Sequence, residues 1–230
     1  MVLKILKTVW PVMLTYVAIG APCGMIMAQA GMEPWMVFAL SSTFVTGCGQ
    51  FMVCNLWLAG VPAASIVASV AAISSRFALY SASIAPHLAG ASKRQMLAVA
   101  ATLAEEAYGI SLAKLIEGQD WGPRESFALN VILIATWGVS CTMGAVVGAV
   151  VDVPTALASF VCTSLFICLL FSQRLSRGNA VAAVLAAASV AVCKFLGWTN
   201  VAVPVSVLVG VAAALVCDAL AEGRGARDAR

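Results

Sequence analysis

Charge is what this sequence has least of. Thirteen basic and ten acidic residues make up 10% of 230 positions, against roughly a quarter in an ordinary soluble domain. A water-soluble fold of this length needs a polar shell that 23 such side chains cannot supply, so lipid must cover the remainder. Histidine is nearly absent, with His87 alone, and the eight cysteines form no CxxC pair. Cys/His metal spacing is therefore missing, and the cysteines, almost all within apolar runs, read as small packing residues. No GxSxG, HExxH or paired-aspartate pattern occurs, and two neighbouring glutamates alone are a thin active site, so an enzyme is not expected and no cofactor is implied. The net charge of +3 is small, with basic residues dispersed or terminal. That argues against nucleic-acid binding.

Long apolar runs dominate what is present: 62% of the chain is hydrophobic. A bilayer core takes about 20 helical residues to cross. Interruptions by charge, Gly and Pro divide the sequence into runs at about 9–30, 34–58, 61–88, 95–116, 126–151, 153–172, 179–197 and 199–220. The expectation is an all-α polytopic membrane protein of about eight spans, some of them discontinuous. One transmembrane domain covers 1–222, and a short polar tail covers 223–230. Lys4 and Lys7 before an apolar stretch ending at Ala28-Gln29-Ala30 mimic a secretory signal, but the uncharged run from Thr8 to Met32 is too long for one and reads as the first span. With a cytoplasmic N-terminus, nine basic residues lie inside and three outside, which favours that orientation in a cell membrane. If 61–88 instead enters and leaves on one side, seven spans result and the later loops invert.

Gly20-Ala-Pro-Cys-Gly24 and Gly144-Ala-Val-Val-Gly148 are weakly alike, each on a run that leads into a loop ending in proline. The pattern admits two repeats, 9–116 and 126–220, and repeated transporters hold their substrates at the repeat interface. Trp10, Trp35, Trp57, Trp121 and Trp198 fall near run ends and read as interfacial anchors.

The informative residues are polar ones inside spans, because a charge at the bilayer centre costs about 3 kcal/mol or more. Glu105 and Glu106 sit mid-run between Arg94 and Lys114. Two adjacent carboxylates in a low dielectric are a place where protons can be taken up and released, or an ammonium held. The plain alternative is a structural contact, for instance with Arg76. Arg76, midway along its run, must face protein or water. Its planar fork suits a carboxylate, either of a substrate or of the glutamates. Tyr80 lies one turn on, followed by Ser81 and Ser83. Gly47 and Gly49 flank Cys48 immediately before Gln50, and Gly20, Pro22 and Gly24 interrupt the first run. Such positions either pack helices closely or open the backbone toward a polar ligand.

The stretch Ser75-Arg76-Phe77-Ala78-Leu79-Tyr80-Ser81-Ala82-Ser83-Ile84-Ala85-Pro86, with Thr46-Gly47-Cys48-Gly49-Gln50-Phe51 before it and Glu105-Glu106-Ala107-Tyr108 after it, resembles the azaleucine-resistance (AzlC-like) permeases. That family forms the large subunit of branched-chain amino acid exporters. The resemblance is ordered over 14–110 and rests mainly on hydropathy and Gly144-x-x-x-Gly148 beyond. Where the family usually reads Asn-small-Arg-His and Asp-Glu, this chain has Ser74-Ser75-Arg76-Phe77 and Glu105-Glu106. Two polar neighbours of the arginine are thus lost and the acidic pair is kept. The resemblance also implies a small multi-span AzlD-like membrane subunit as partner, which composition and spacing do not show.

Together these readings point to a secondary-active permease that exports small neutral or branched-chain amino acids, coupled to protons. Arg76, Tyr80, Gln50, Gly47, Gly49, Gly24, Ser81 and Ser83 would bind substrate, and Glu105 and Glu106 would couple protons. The alternative from a different class is a membrane-embedded substrate-binding subunit of an ATP-driven uptake complex.

Overall fold

The computed structural model describes residues 1–88, 90–118, 121–150 and 177–198, with scattered positions between 160 and 217. Every element among these residues is helical. The runs expected at 153–172 and 199–220, and the tail at 223–230, lie largely or wholly outside the described residues. The chain divides into two compact units, one formed by 1–58 and 74–163, the other by 59–73 and 164–230.

In the first unit, α1 (Val2–Gln29) and α8 (Pro123–Val150) are unbroken helices of 28 residues each, about 42 Å long at 1.5 Å per residue. Both are apolar enough to cross a membrane, as is the segment Ala63–Leu88. α1 begins well before the expected run and carries Lys4 and Lys7 on its first turns. Pro123 opens α8, where a missing N–H costs nothing. Between them lie α2 (Pro34–Thr43), α3 (Gly47–Leu58), α5 (Arg76–Ile84), a 3-10 turn at Ala85–Leu88, α6 (Lys93–Ala101) and α7 (Glu105–Ile116). The second unit contains most of α4 (Ala63–Ser74) and α9 (Arg177–Phe195).

Small residues set the central packing. A Cβ built on Gly24 would land on the carbonyl of Cys141, and one on Gly144 would land on the carbonyl of Ala21, so both positions must be glycine for the backbones to approach this closely. Gly20 lies against Ser140 and Cys141, and Gly148 lies against Met25. Partners on α1 and α8 thus rise in number together, from Tyr16 with Trp137 to Met25 with Gly148, and the two helices run parallel. Two parallel spans have an odd number of crossings between them.

Three of the expected runs are broken. α2 stops at Thr43 and α3 resumes at Gly47; α4 and α5 meet at Ser75; α6 stops at Ala101 and α7 resumes at Glu105. At 44–46, β-branched Thr43, Val45 and Thr46 precede two poor helix formers, Gly47 and Gly49. The Thr46 hydroxyl accepts the Gly49 N–H at 3.2 Å, starting the new helix. At 102–104, Thr102 Oγ1 donates back to the Ala98 carbonyl at 2.7 Å. Such back-bonding helps to end α6. Its start is set by a reciprocal capping box between Ser92 and Gln95.

Candidate functional site

All three breaks lead into one cluster. α3 contributes Cys48 and Gln50 in its first turn, α5 contributes Arg76 as its first residue, and α7 contributes Glu105 and Glu106 as its first two. Glu105 benefits from the partial positive charge of its own helix end, whereas Arg76 sits at a helix end that disfavours a cation. An anion beside Arg76 relieves that conflict, and Glu105 supplies it: one Arg76 Nη2–Glu105 Oε1 contact joins them. The two side chains are 29% and 20% exposed, so the pair is open on one side. Cys48, itself buried, lies beside the pair.

Glu106 takes a different partner. Tyr16 Oη donates to its Oε2 at 2.7 Å, and the Tyr16 ring meets Trp137 edge-on at 5.3 Å. Trp137 Nε1 donates to Gln50 Oε1 at 3.0 Å, an oxygen that also accepts from Ser41 Oγ at 3.1 Å. Gln50 Nε2 donates to the Phe44 carbonyl, which also accepts the Thr46 N–H at 2.9 Å within the break. Fully buried, Gln50 therefore spends its amide on holding the break between α2 and α3 together. A Cβ built on Gly47 would press on the Trp137 ring at 3.0 Å, and one on Gly49 would strike Thr46 and Phe44.

Aromatic rings border the charged pair. Tyr80 stacks on Tyr108 at 4.5 Å, Phe77 stands edge-on to Tyr80 at 5.8 Å, and the Arg76 guanidinium lies 5.7 Å from the Phe77 ring. Tyr108 Oη donates to Ser83 Oγ at 3.0 Å. The chain has three tyrosines, Tyr16, Tyr80 and Tyr108, and every one reaches this cluster. Below it, Ile84, Leu88, Val99 and Leu103 form an apolar core against which Tyr80 and Tyr108 pack.

Of the residues singled out in the sequence, Arg76, Glu105, Glu106 and Gln50 converge, and Tyr80, Ser83, Gly47 and Gly49 flank them. Ser81 lies on α5 and is partly buried. Gly24 does not join the cluster: α1 is unbroken there, and its position is a helix–helix contact with α8. Four participants were not singled out. Tyr16 is the lone phenol of its run, and Trp137 is the one tryptophan away from a run end. Asn130 is a buried amide in an apolar span, donating to the Val99 carbonyl at 3.1 Å and to Thr102 Oγ1 at 3.0 Å, which ties the end of α6 to α8 where the break begins. Scanning that span for polar residues would have found it. Cys48 looks like packing in sequence, and only the fold brings it to the ion pair. Trp121, expected at an interface, is buried, with Nε1 donating to Ser126 Oγ.

Among the described residues no group of His, Cys, Asp and Glu is arranged to hold a metal. Long apolar helices, with shorter ones beside them that break at partly exposed charged groups, define a helical membrane protein with a polar site at those breaks. A family model described as AzlC protein matches residues 11–151, and the chain belongs to that family. The match takes in the whole cluster and extends through Gly144 and Gly148. The family is associated with branched-chain amino acid transport and not with enzymatic activity. No curated relative and no solved structure matches the chain.

Proposed function

We propose that this chain is the transport subunit of a secondary-active exporter for small neutral amino acids, branched-chain ones foremost, working in the cell membrane and coupled to protons. The observation that carries the reading is the meeting of Arg76 at one helix break with Glu105 and Glu106 at another, within apolar runs. A transported zwitterion needs one group of each sign, and a proton-coupled cycle needs a further group that can exchange a proton. Arg76 is suited to the substrate carboxylate, with Tyr80, Ser81 and Ser83 on the same helix. Glu105 or Glu106 is suited to the ammonium or the proton. Gly47, Gly49 and Gln50 shape the α3 end of the site. The substrate side chain needs only apolar walls, which the aromatic border offers.

A small multi-span AzlD-like subunit completes the proposal, with the N-terminus on the cytoplasmic face. The test is efflux of leucine, valine and methionine from preloaded vesicles that carry the chain with such a partner. Wild type should export under an imposed proton gradient, and the Glu105→Gln, Glu106→Gln double variant should not. Equal efflux from both would remove the carboxylates from proton coupling. A purified chain that instead holds a vitamin-like ligand tightly, without flux, would make it a capture subunit.

A further inference from the structure

We infer that the Arg76–Glu105 ion pair is an exchangeable latch that admits an amino acid as a zwitterion. The substrate carboxylate takes the place of Glu105 on the guanidinium, and the released Glu105 takes the substrate ammonium. This inference rests on the transport reading above and assigns the two glutamates different parts.

Four observations support it. Arg76 is only partly satisfied: one hydrogen bond joins it to Glu105, short of the two parallel bonds that a guanidinium makes with a well-seated carboxylate. Its Nε is buried with no partner among the described residues, and so is the Ser74 hydroxyl two residues before it. Donors left over in this way await an acceptor, and a second carboxylate oxygen is the acceptor that the fork geometry fits. Both partners of the pair stay partly exposed, so a solute can reach them. Finally, Glu105 opens α7, so it keeps the favourable field of its own helix end after it leaves Arg76.

Charge balance specifies the ligand class. With Glu106 held by Tyr16, the cluster has one cation and two carboxylates, a formal charge of minus one. A zwitterion inserted between Arg76 and Glu105 leaves that sum unchanged and gives each of those two residues an opposite charge. A carboxylate without an amine would add a second uncompensated negative charge, and an amine without a carboxylate would leave Arg76 bare. The site should therefore reject both half-molecules of its substrate. Glu106, bonded to Tyr16 and not to Arg76, is left to carry the proton.

The test uses radiolabelled L-leucine binding to the full-length chain in membrane vesicles, with 4-methylpentanoate and isoamylamine as competitors that each keep one charged end. Unlabelled leucine should displace the label, and each half-molecule should be weaker by at least about tenfold, the worth of one lost charge-assisted contact. In Glu105→Gln the carboxylate-only competitor should gain about tenfold, because its rival for Arg76 is gone, while isoamylamine gains nothing. A half-molecule that competes as well as leucine in the unaltered chain overturns the latch without any variant. So does a folded Glu105→Gln chain in which 4-methylpentanoate is no better than before, which would make the pair a fixed strut. If leucine efflux persists in these outcomes, the transport reading stands and only the latch fails; if leucine neither binds nor is exported, both fail.

Discussion

Tyr16 ties α1 to the acidic pair through one hydrogen bond, and that bond can be removed without disturbing its neighbours. Tyr16→Phe keeps the ring against Trp137 and loses only the donor to Glu106. A bond to a charged group contributes about 1.5–3 kcal/mol to stability, so the melting temperature should fall by several degrees, roughly 2–4 °C per kcal/mol, and leucine efflux by the folded chain by roughly tenfold or more. Unchanged efflux would place Tyr16 outside the transport path. Trp137→Phe is the complementary change, since it loses the Nε1 donor to Gln50 and keeps most of the aromatic contact. Its expected effect is on folding, a loss of about 1–3 kcal/mol from leaving buried polar atoms under-satisfied, measured by thermal unfolding in detergent. The charged members of the cluster were legible from sequence because charge in an apolar run has no other excuse. Cys48 was not, since a thiol belongs in an apolar span on packing grounds alone.

At the scale of elements, two devices hold the site: the tight seam between α1 and α8, and the pins across the breaks. Adding one methyl group at Gly24 puts it on the Cys141 backbone, where nothing flexible can yield. Gly24→Ala should therefore destabilise the fold by about 1–3 kcal/mol or more. Gly109→Ala on α7 meets no atom within 4 Å and should be neutral or stabilising. Equal melting temperatures for the two variants would refute the seam. Asn130→Leu removes both bonds that hold the end of α6 at the break before α7. It should weaken leucine binding through displacement of Glu105, with α8 itself intact by helicity; undiminished binding would show that Asn130 does not position the break. Run limits were readable from hydropathy, and Gly47 and Gly49 hinted at the first break. The break at 102–104 had no local warning, because Asn130, which pins it, comes from α8, 28 residues along the chain from Thr102.

For the whole molecule, parallel α1 and α8 make a prediction about sidedness. Single cysteines in place of Lys7 and Arg124, both exposed near the starts of these helices, should react with an impermeant thiol reagent from the same face of the membrane. Cysteines at Gly31 and Val150 should react from the other. Labelling of Lys7 and Arg124 positions from opposite faces would refute the parallel pairing. The two glycine motifs that look alike in sequence are also the two surfaces that meet, Gly20 and Gly24 against the Gly144 and Gly148 stripe. A duplicated chain built on this pair would have its halves in the same orientation, related by an axis along the membrane normal. Composition alone determined that the protein is helical and lives in lipid, because a chain with this little charge can satisfy its backbone in a bilayer only by folding into helices or a closed barrel, and its run lengths suit helices. Composition also singled out the charged residues that had to be sheltered. Which of them meet was decided by tertiary structure. The pairing of Arg76 with Glu105, of Glu106 with Tyr16, and of Gln50 with its own helix break depends on how α1, α3, α5, α7 and α8 pack, and the central contact of α1 with α8 is set by backbone approach at glycines, which hydropathy does not register.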